Sequence, residues 1–187
     1  MAKPFHILAI CTGNVCRSPA VEALLRAALG DHPDVSMASA GTAALVGQAI
    51  TGPMAALLVA AGADPAGFRA QAITRQLVTD ADLVLALTRA HRAEVVAMVP
   101  RALRRAFTLR EFARLAADVD PDLLPAGSPG ERLAALVPLT AARRGLAPVA
   151  GAEDDVVDPY RGSAARYQSS LDQLRPAVEA IAAVALG

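Results

Sequence analysis

The 187-residue chain carries 18 basic and 18 acidic side chains and no net formal charge, which argues against nucleic acid or an anionic membrane as a bulk partner. With 54% hydrophobic and 19% charged residues it suits one folded domain with a two- or three-layer core, not a disordered segment. Two cysteines cannot form a secreted disulfide framework, no apolar run reaches the ~18 residues of a membrane span, and the start lacks a leader cleavage pattern, so the cytoplasm is the expected compartment.

In chain order, "FHILAI" (Phe5 to Ile10) reads as a strand buried on both faces of a parallel sheet. A helix is expected from about Pro19, with Ser18 as its N-cap and Val21, Leu24, Leu25, Ala28 and Leu29 on one face, ending at "DHPD". "VSMAS" (Val35 to Ser39) is a second strand, followed by a loop marked by Gly41, Gly47 and Gly52, then a buried helix in "PMAALLVAAGA". A short helix capped by Thr74, a buried strand at Leu83 to Leu87, a helix stopping at Pro100, a short strand "AFTL" and a helix "REFARLAA" come next. Residues 118–155 hold five prolines and one expected helix near Glu131 to Arg144, an insert with the look of a flap. A final amphipathic helix presents Tyr167, Leu171, Leu174, Val178, Ile181 and Ala185, with a kink expected at Pro176. This alternation predicts one domain over 1–187, an α/β three-layer sandwich whose central four-stranded parallel sheet is flanked by helices. In such sheets ligands bind beyond the carboxyl ends of the strands, where "CTGNVCRS" falls.

The loop from Cys11 to Ser18 is short, contains Gly13 and Asn14, and runs into a helix start. Those two residue types adopt positive φ most easily, so successive amides can turn inward as an anion nest backed by the helix dipole. Cys11 lies at the floor of that nest, where its thiolate is favoured, and Arg17 offers a planar pair of donors for two phosphoryl oxygens. The combination suits a tetrahedral dianion faced by a sulfur nucleophile. A zinc site wants four ligands, and His6, His32 and His91 are scattered, so no metal is expected. No Gly-Lys-Ser/Thr follows the glycine, and four residues rather than two separate the cysteines, which disfavours a nucleotide loop and a thioredoxin-type pair. The bland alternative for Cys11 is an inert buried thiol.

"CTGNVCRSP" resembles the signature loop of the low-molecular-weight protein tyrosine phosphatases, and "SAGT" (Ser39 to Thr42), "TDADLVLALTRAHR" and "DPY" (Asp158 to Tyr160) resemble that family's later segments in order. The resemblance implies hydrolysis of phosphotyrosine-type phosphomonoesters through a cysteinyl-phosphate. Cys11 would be nucleophile, Thr12, Gly13, Asn14, Val15, Cys16 and Ser18 the phosphate loop with Arg17, and Asn14 would be tied to Ser39. Ser18 would also donate to the Cys11 sulfur. It further implies no cofactor, a phosphotyrosine protein or small aryl phosphate as partner, and a reversible Cys11–Cys16 disulfide, against which stands plain packing of Cys16 under the loop.

The leaving oxygen needs a proton, and a carboxylic acid is its usual source. Asp-Pro occurs at Asp64, Asp120 and Asp158, the first in a turn and the second among other acids. Asp158, followed by Tyr160 and preceding the last helix, is the expected acid, and the resemblance selects it too; Asp154 and Asp155 are the fallbacks. Three departures from the family bear on substrate. "AALVG" places Leu45 or Val46 where an aromatic wall is usual, Arg161 follows Tyr160 where a second tyrosine is common, and Phe68 stands for a supporting histidine. Tyr160 and Leu45 are therefore the expected walls, and Arg161 is either a reader of acidic substrate residues or a solvated charge. Two other functions compete: arsenate reduction with an external small thiol, since no cysteine follows Cys16 to relay a disulfide, and a non-catalytic phosphate-binding module.

Overall fold

The protein is described from a computed structural model, over residues 3–30, 32–144 and 151–187. The first two residues, Asp31 of "DHPD" and positions 145–150 of the insert lie outside the described residues. Strands β1 (Phe5–Cys11), β2 (Val35–Gly41), β3 (Leu83–Ala86) and β4 (Ala106–Thr108) form one parallel sheet in the order β2-β1-β3-β4. The continuous apolar runs of β1 and β3 are explained by burial on both faces. Ile7, Ala9 and Cys11 join Leu83, Leu85 and Leu87 in the larger core. Leu8, Ile10 and Val84 join the smaller core on the opposite face. Each fully buried leucine among these contributes roughly 1.5–3 kcal/mol of transfer free energy.

The larger core is covered by α1 (Arg17–Leu29), α5 (Leu109–Ala117), α6 (Pro129–Arg143) and α7 (Ala164–Leu186); α3 (Arg75–Asp80) and α4 (Arg89–Met98) cover the smaller one through Val78 and Val95. Thr74 and Thr88 cap α3 and α4 by accepting the amides of Leu77 and His91, and full capping boxes start α5 (Thr108, Glu111) and α6 (Ser128, Glu131). The expected apolar face of α7 is buried as read, and the helix runs unbroken through Pro176.

Two expectations are corrected. Helix α2 (Gly52–Ala60) is peripheral, not buried: only Met54 and Leu58 are enclosed while Val59 is 63% exposed. Its alanine-rich composition reads as apolar all round, but small side chains bury little area and so do not pull the helix inward. The insert is no loose flap in its described part, because α6 seats Leu133 and Leu136, both at 0% exposure, in the main core beside α5 and α7. With β1 central and β2 and β3 on either side of it, the connections diverge beyond the carboxyl ends of β1 and β3, which opens a crevice there.

Candidate active site

Strand β1 ends at Cys11 on the larger-core face, and residues 12–16 form a loop before α1 begins. The loop's shape follows from where its carbonyls go. Those of Cys11, Thr12, Gly13 and Val15 accept the amides of Thr42, Ala43, Leu45 and Thr51 at 2.9, 3.0, 3.0 and 2.8 Å. In a planar trans peptide the next amide points the opposite way, so the N–H groups of Thr12, Gly13, Asn14 and Cys16 turn from that outer strap toward the hollow. The Asn14 amide meets the Cys11 Sγ at 3.3 Å in agreement with this. Gly41 lets the strap lie this close, since a Cβ there would collide with the Thr12 carbonyl oxygen.

Asn14 takes φ +53° and is fully buried. Its Nδ2 donates to the Ser18 and Ser39 hydroxyls, each at 2.9 Å, and its Oδ1 accepts the Gln71 amide at 2.8 Å. Ser39 in turn donates to Glu22 at 2.7 Å. Ser18 was expected to cap α1. Instead the helix starts at Arg17 with Cys16 at the cap position and no side-chain cap. The Ser18 hydroxyl accepts from Asn14, and its own proton has two acceptors in reach, the Cys11 sulfur at 3.0 Å and the more distant Ala40 carbonyl at 3.5 Å. A helix start without a side-chain cap keeps its first amides available to an anion.

Arg17 is 5% exposed at its side chain; one nitrogen donates to the Val156 carbonyl at 3.2 Å and another pairs with Asp158 at 2.8 Å. Its Nε is buried without a partner among the described residues. The loop bearing Asp158 reaches the site because Val156 N–H bonds the Leu87 carbonyl at 2.9 Å, at the end of β3, and Val157 N–H bonds Gln173 of α7 at 2.9 Å. The other acids are engaged elsewhere. Asp154 is buried against Arg114, Asp155 pairs with Arg89, and Asp64 and Asp120 cap the turns at Ala66 and Asp122.

Cys11, Thr12, Gly13, Val15, Cys16, Arg17, Ala43, Leu45, Asp158 and Tyr160 together line a cavity of about 140 Å³. Of the expected loop residues, Thr12, Gly13, Val15 and Cys16 meet Leu45 and Tyr160 at the cavity while Asn14 and Ser18 lie buried outside its lining; Val46 points to solvent at 68% exposure, and Phe68 packs partly buried against the main core. Cys16 is a free buried thiol 3.2 Å from the Thr51 hydroxyl and 3.8 Å from that of Tyr167; burial pushes its titration upward, partly offset by the Thr51 contact. Cys11 is likewise a free thiol. Among the described residues no three His, Cys, Asp or Glu side chains gather as a metal site.

Sequence reading passed over four supports: Gln71, Glu22, the Val156 carbonyl and His91. His91, at 5% exposure, bridges the Thr12 hydroxyl (Nε2) and the Thr88 hydroxyl (Nδ1), both at 2.9 Å. Burial, and then the nearby Arg17 charge, push its titration down to about 4, so the ring is neutral at pH 7. The only local signal was its place three residues after Thr88, in the first turn of α4.

Comparisons with known proteins agree with this geometry. Residues 6–125 match the family model described as low molecular weight phosphotyrosine protein phosphatase. The chain is 40% identical over 114 residues to a probable low molecular weight protein-tyrosine-phosphatase, EpsP, of Ralstonia solanacearum, covering 61% of this chain and 75% of that one. It is 27% identical over 179 residues to a protein-arginine-phosphatase of Geobacillus stearothermophilus, covering 96% and 95%. A solved structure of the arginine phosphatase YwlE from that organism superposes with a TM-score of 0.70 at 26% identity, over 96% of this chain and 92% of that one. The Erwinia amylovora tyrosine phosphatase AmsI shares the fold, with a TM-score of 0.69 at 23% identity over 96% and 91%. An inward-facing amide loop around a buried cysteine, a following arginine and a family match over most of the chain lead to one assignment: the chain belongs to the low molecular weight phosphotyrosine protein phosphatases.

Proposed function

We propose that this phosphatase hydrolyses phosphotyrosine-type monoesters on proteins by two displacements at Cys11. The sulfur attacks phosphorus and forms a cysteinyl-phosphate as the ester P–O bond breaks, and the Asp158 carboxyl gives its proton to the departing oxygen. Asp158 then takes a proton from water, which attacks phosphorus and releases inorganic phosphate and the thiolate. Arg17 and the inward amides hold the equatorial oxygens through both steps. The observation that carries this reading is the shared cavity of Cys11, Arg17 and Asp158. The Arg17 Nε, a buried donor with no partner among the described residues, is one that a bound phosphoryl oxygen would satisfy. Because Asp158 rests on Arg17 at 2.8 Å, an arriving dianion competes for the guanidinium and frees the carboxyl for the leaving group.

The walls set the substrate. Leu45, Val15 and Tyr160 line the cavity, with one aromatic surface instead of two, so an aryl ring is gripped less firmly. That weaker slot, and the 27% identity to a protein-arginine-phosphatase along nearly the whole chain, give phosphoarginine as the second reading. Arsenate reduction finds no support among these relatives, which are named as phosphatases. Steady-state kcat/KM on one peptide sequence bearing phosphotyrosine or phosphoarginine, with Cys11→Ala as control, separates the readings. Higher kcat/KM for phosphotyrosine is expected. Preference for phosphoarginine would move the assignment to the second reading.

A further inference from the structure

The acid loop closes in a tight turn just outside the cavity. The Pro159 carbonyl accepts the Gly162 amide at 2.8 Å, the Tyr160 amide donates to the Asp158 carboxylate at 3.2 Å, and Arg166 Nε donates to the Asp158 carbonyl at 2.6 Å. Arg161, the third residue of that turn, has φ +58°. Turns of this class place glycine or asparagine there, because a Cβ crowds the backbone. Asn14 and Arg161 are the only non-glycine residues with positive φ among the described residues, and both border the same site. Asn14 gains three hydrogen bonds in that conformation. The Arg161 side chain gains neither a hydrogen bond nor an ion pair among the described residues; its one recorded contact is the Tyr160 ring, with Cζ 5.2 Å from the centroid.

Strain of this kind is held where a function uses it, and the conformation stacks a solvent-facing cation on the ring that walls the cavity. The turn is held beside the phosphate loop through Asp158, whose carboxylate pairs with Arg17 at 2.8 Å. Charge around the mouth is uncompensated. Asp158 is paired with Arg17 and Asp155 with Arg89, while Arg161 and the exposed Arg166 have no carboxylate partner among the described residues. A guanidinium laid on an aromatic face keeps its donor fork ordered and open to a carboxylate.

We propose that Arg161, stacked on Tyr160, is a specificity-determining residue that binds an acidic side chain adjacent to the phosphorylated residue of a protein substrate. This rests on the protein-phosphatase reading above. The test compares kcat/KM for two phosphotyrosine peptides that differ only in flanking Glu against Gln, in the parent and in Arg161→Gly, Arg161→Lys and Arg161→Glu. The ratio within each variant is read, so a general change in activity cancels. For a rim pair the parent should favour the Glu peptide about 3- to 5-fold at low salt, and the preference should shrink as salt rises. Glycine, which fits the turn, should bring the ratio to about 1, lysine should retain part of it, and glutamate should invert it. A ratio near 1 in the parent, or a preference that survives Arg161→Gly, overturns the inference. Turnover of para-nitrophenyl phosphate by the parent keeps the two failures apart: without it the phosphatase reading itself fails, and with it only the role of Arg161 does.

Discussion

Asn14 is the residue whose removal tests the architecture of the phosphate loop most sharply. Replacing it by alanine deletes two donations, to Ser18 and Ser39, and one acceptance, from the Gln71 amide, all at 2.8–2.9 Å. At ~1 kcal/mol net for each, the bonds amount to about 3 kcal/mol. The positive φ adds a separate cost of about 1 kcal/mol for alanine that glycine does not carry. Asn14→Ala should therefore lose about 4 kcal/mol and Asn14→Gly about 3 kcal/mol, a fall in Tm on the order of 10 °C for a domain of this size. Equilibrium urea denaturation measures both. A double-mutant cycle with Ser39→Ala isolates one bond and should return a coupling of about 1 kcal/mol. Since Asn14 also fixes Ser18 beside the Cys11 sulfur, kcat should drop about 100-fold in both variants through misplacement of the loop. The reasoning is refuted if Asn14→Ala stays within about 1 kcal/mol of the parent, or if glycine proves more damaging than alanine.

Two further outcomes follow from the same geometry. Asp158→Asn should lower kcat by about 10²–10⁴ through loss of the proton donor, yet tighten inhibition by inorganic phosphate several-fold, because the carboxylate no longer occupies Arg17 at 2.8 Å; weaker phosphate binding would contradict the competition. His91 titrates near 4 when folded and near 6.5 when unfolded, so the unfolded chain takes up the proton first. Stability should fall by up to about 3 kcal/mol as pH drops from about 6.5 to about 4, and His91→Gln should flatten that part of the denaturation-against-pH curve.

What could be read from the chain was whatever is set by near neighbours. Four strands were legible because residues such as Ile7, Leu8, Leu83 and Val84 alternate between two cores and so make unbroken apolar runs. The loop from Cys11 to Ser18 was legible because nest, turn residues and helix start are contiguous. Its supports were not. Gln71 and His91 meet Asn14 and Thr12 across 57 and 79 residues, and the Val156 carbonyl meets Arg17 across 139, so nothing local marks them. Serine before proline is an ordinary helix start, so Ser18 reads as a cap as well as a donor to the sulfur; the folded loop gives the cap position to Cys16 and sets the Ser18 hydroxyl 3.0 Å from the Cys11 sulfur. α2 was misread because hydropathy counts alanine as apolar without regard to how little it buries.

The central claim is that the Cys11 sulfur carries the phosphoryl group between two displacements. Mixing the parent with a phosphomonoester, quenching in acid during turnover and measuring intact mass tests it directly. The account predicts a protein species heavier by one phosphoryl group, mapped by digestion to the peptide containing Cys11 and absent from Cys11→Ala. Turnover that persists in Cys11→Ala, or an adduct mapped to any other residue, would contradict it.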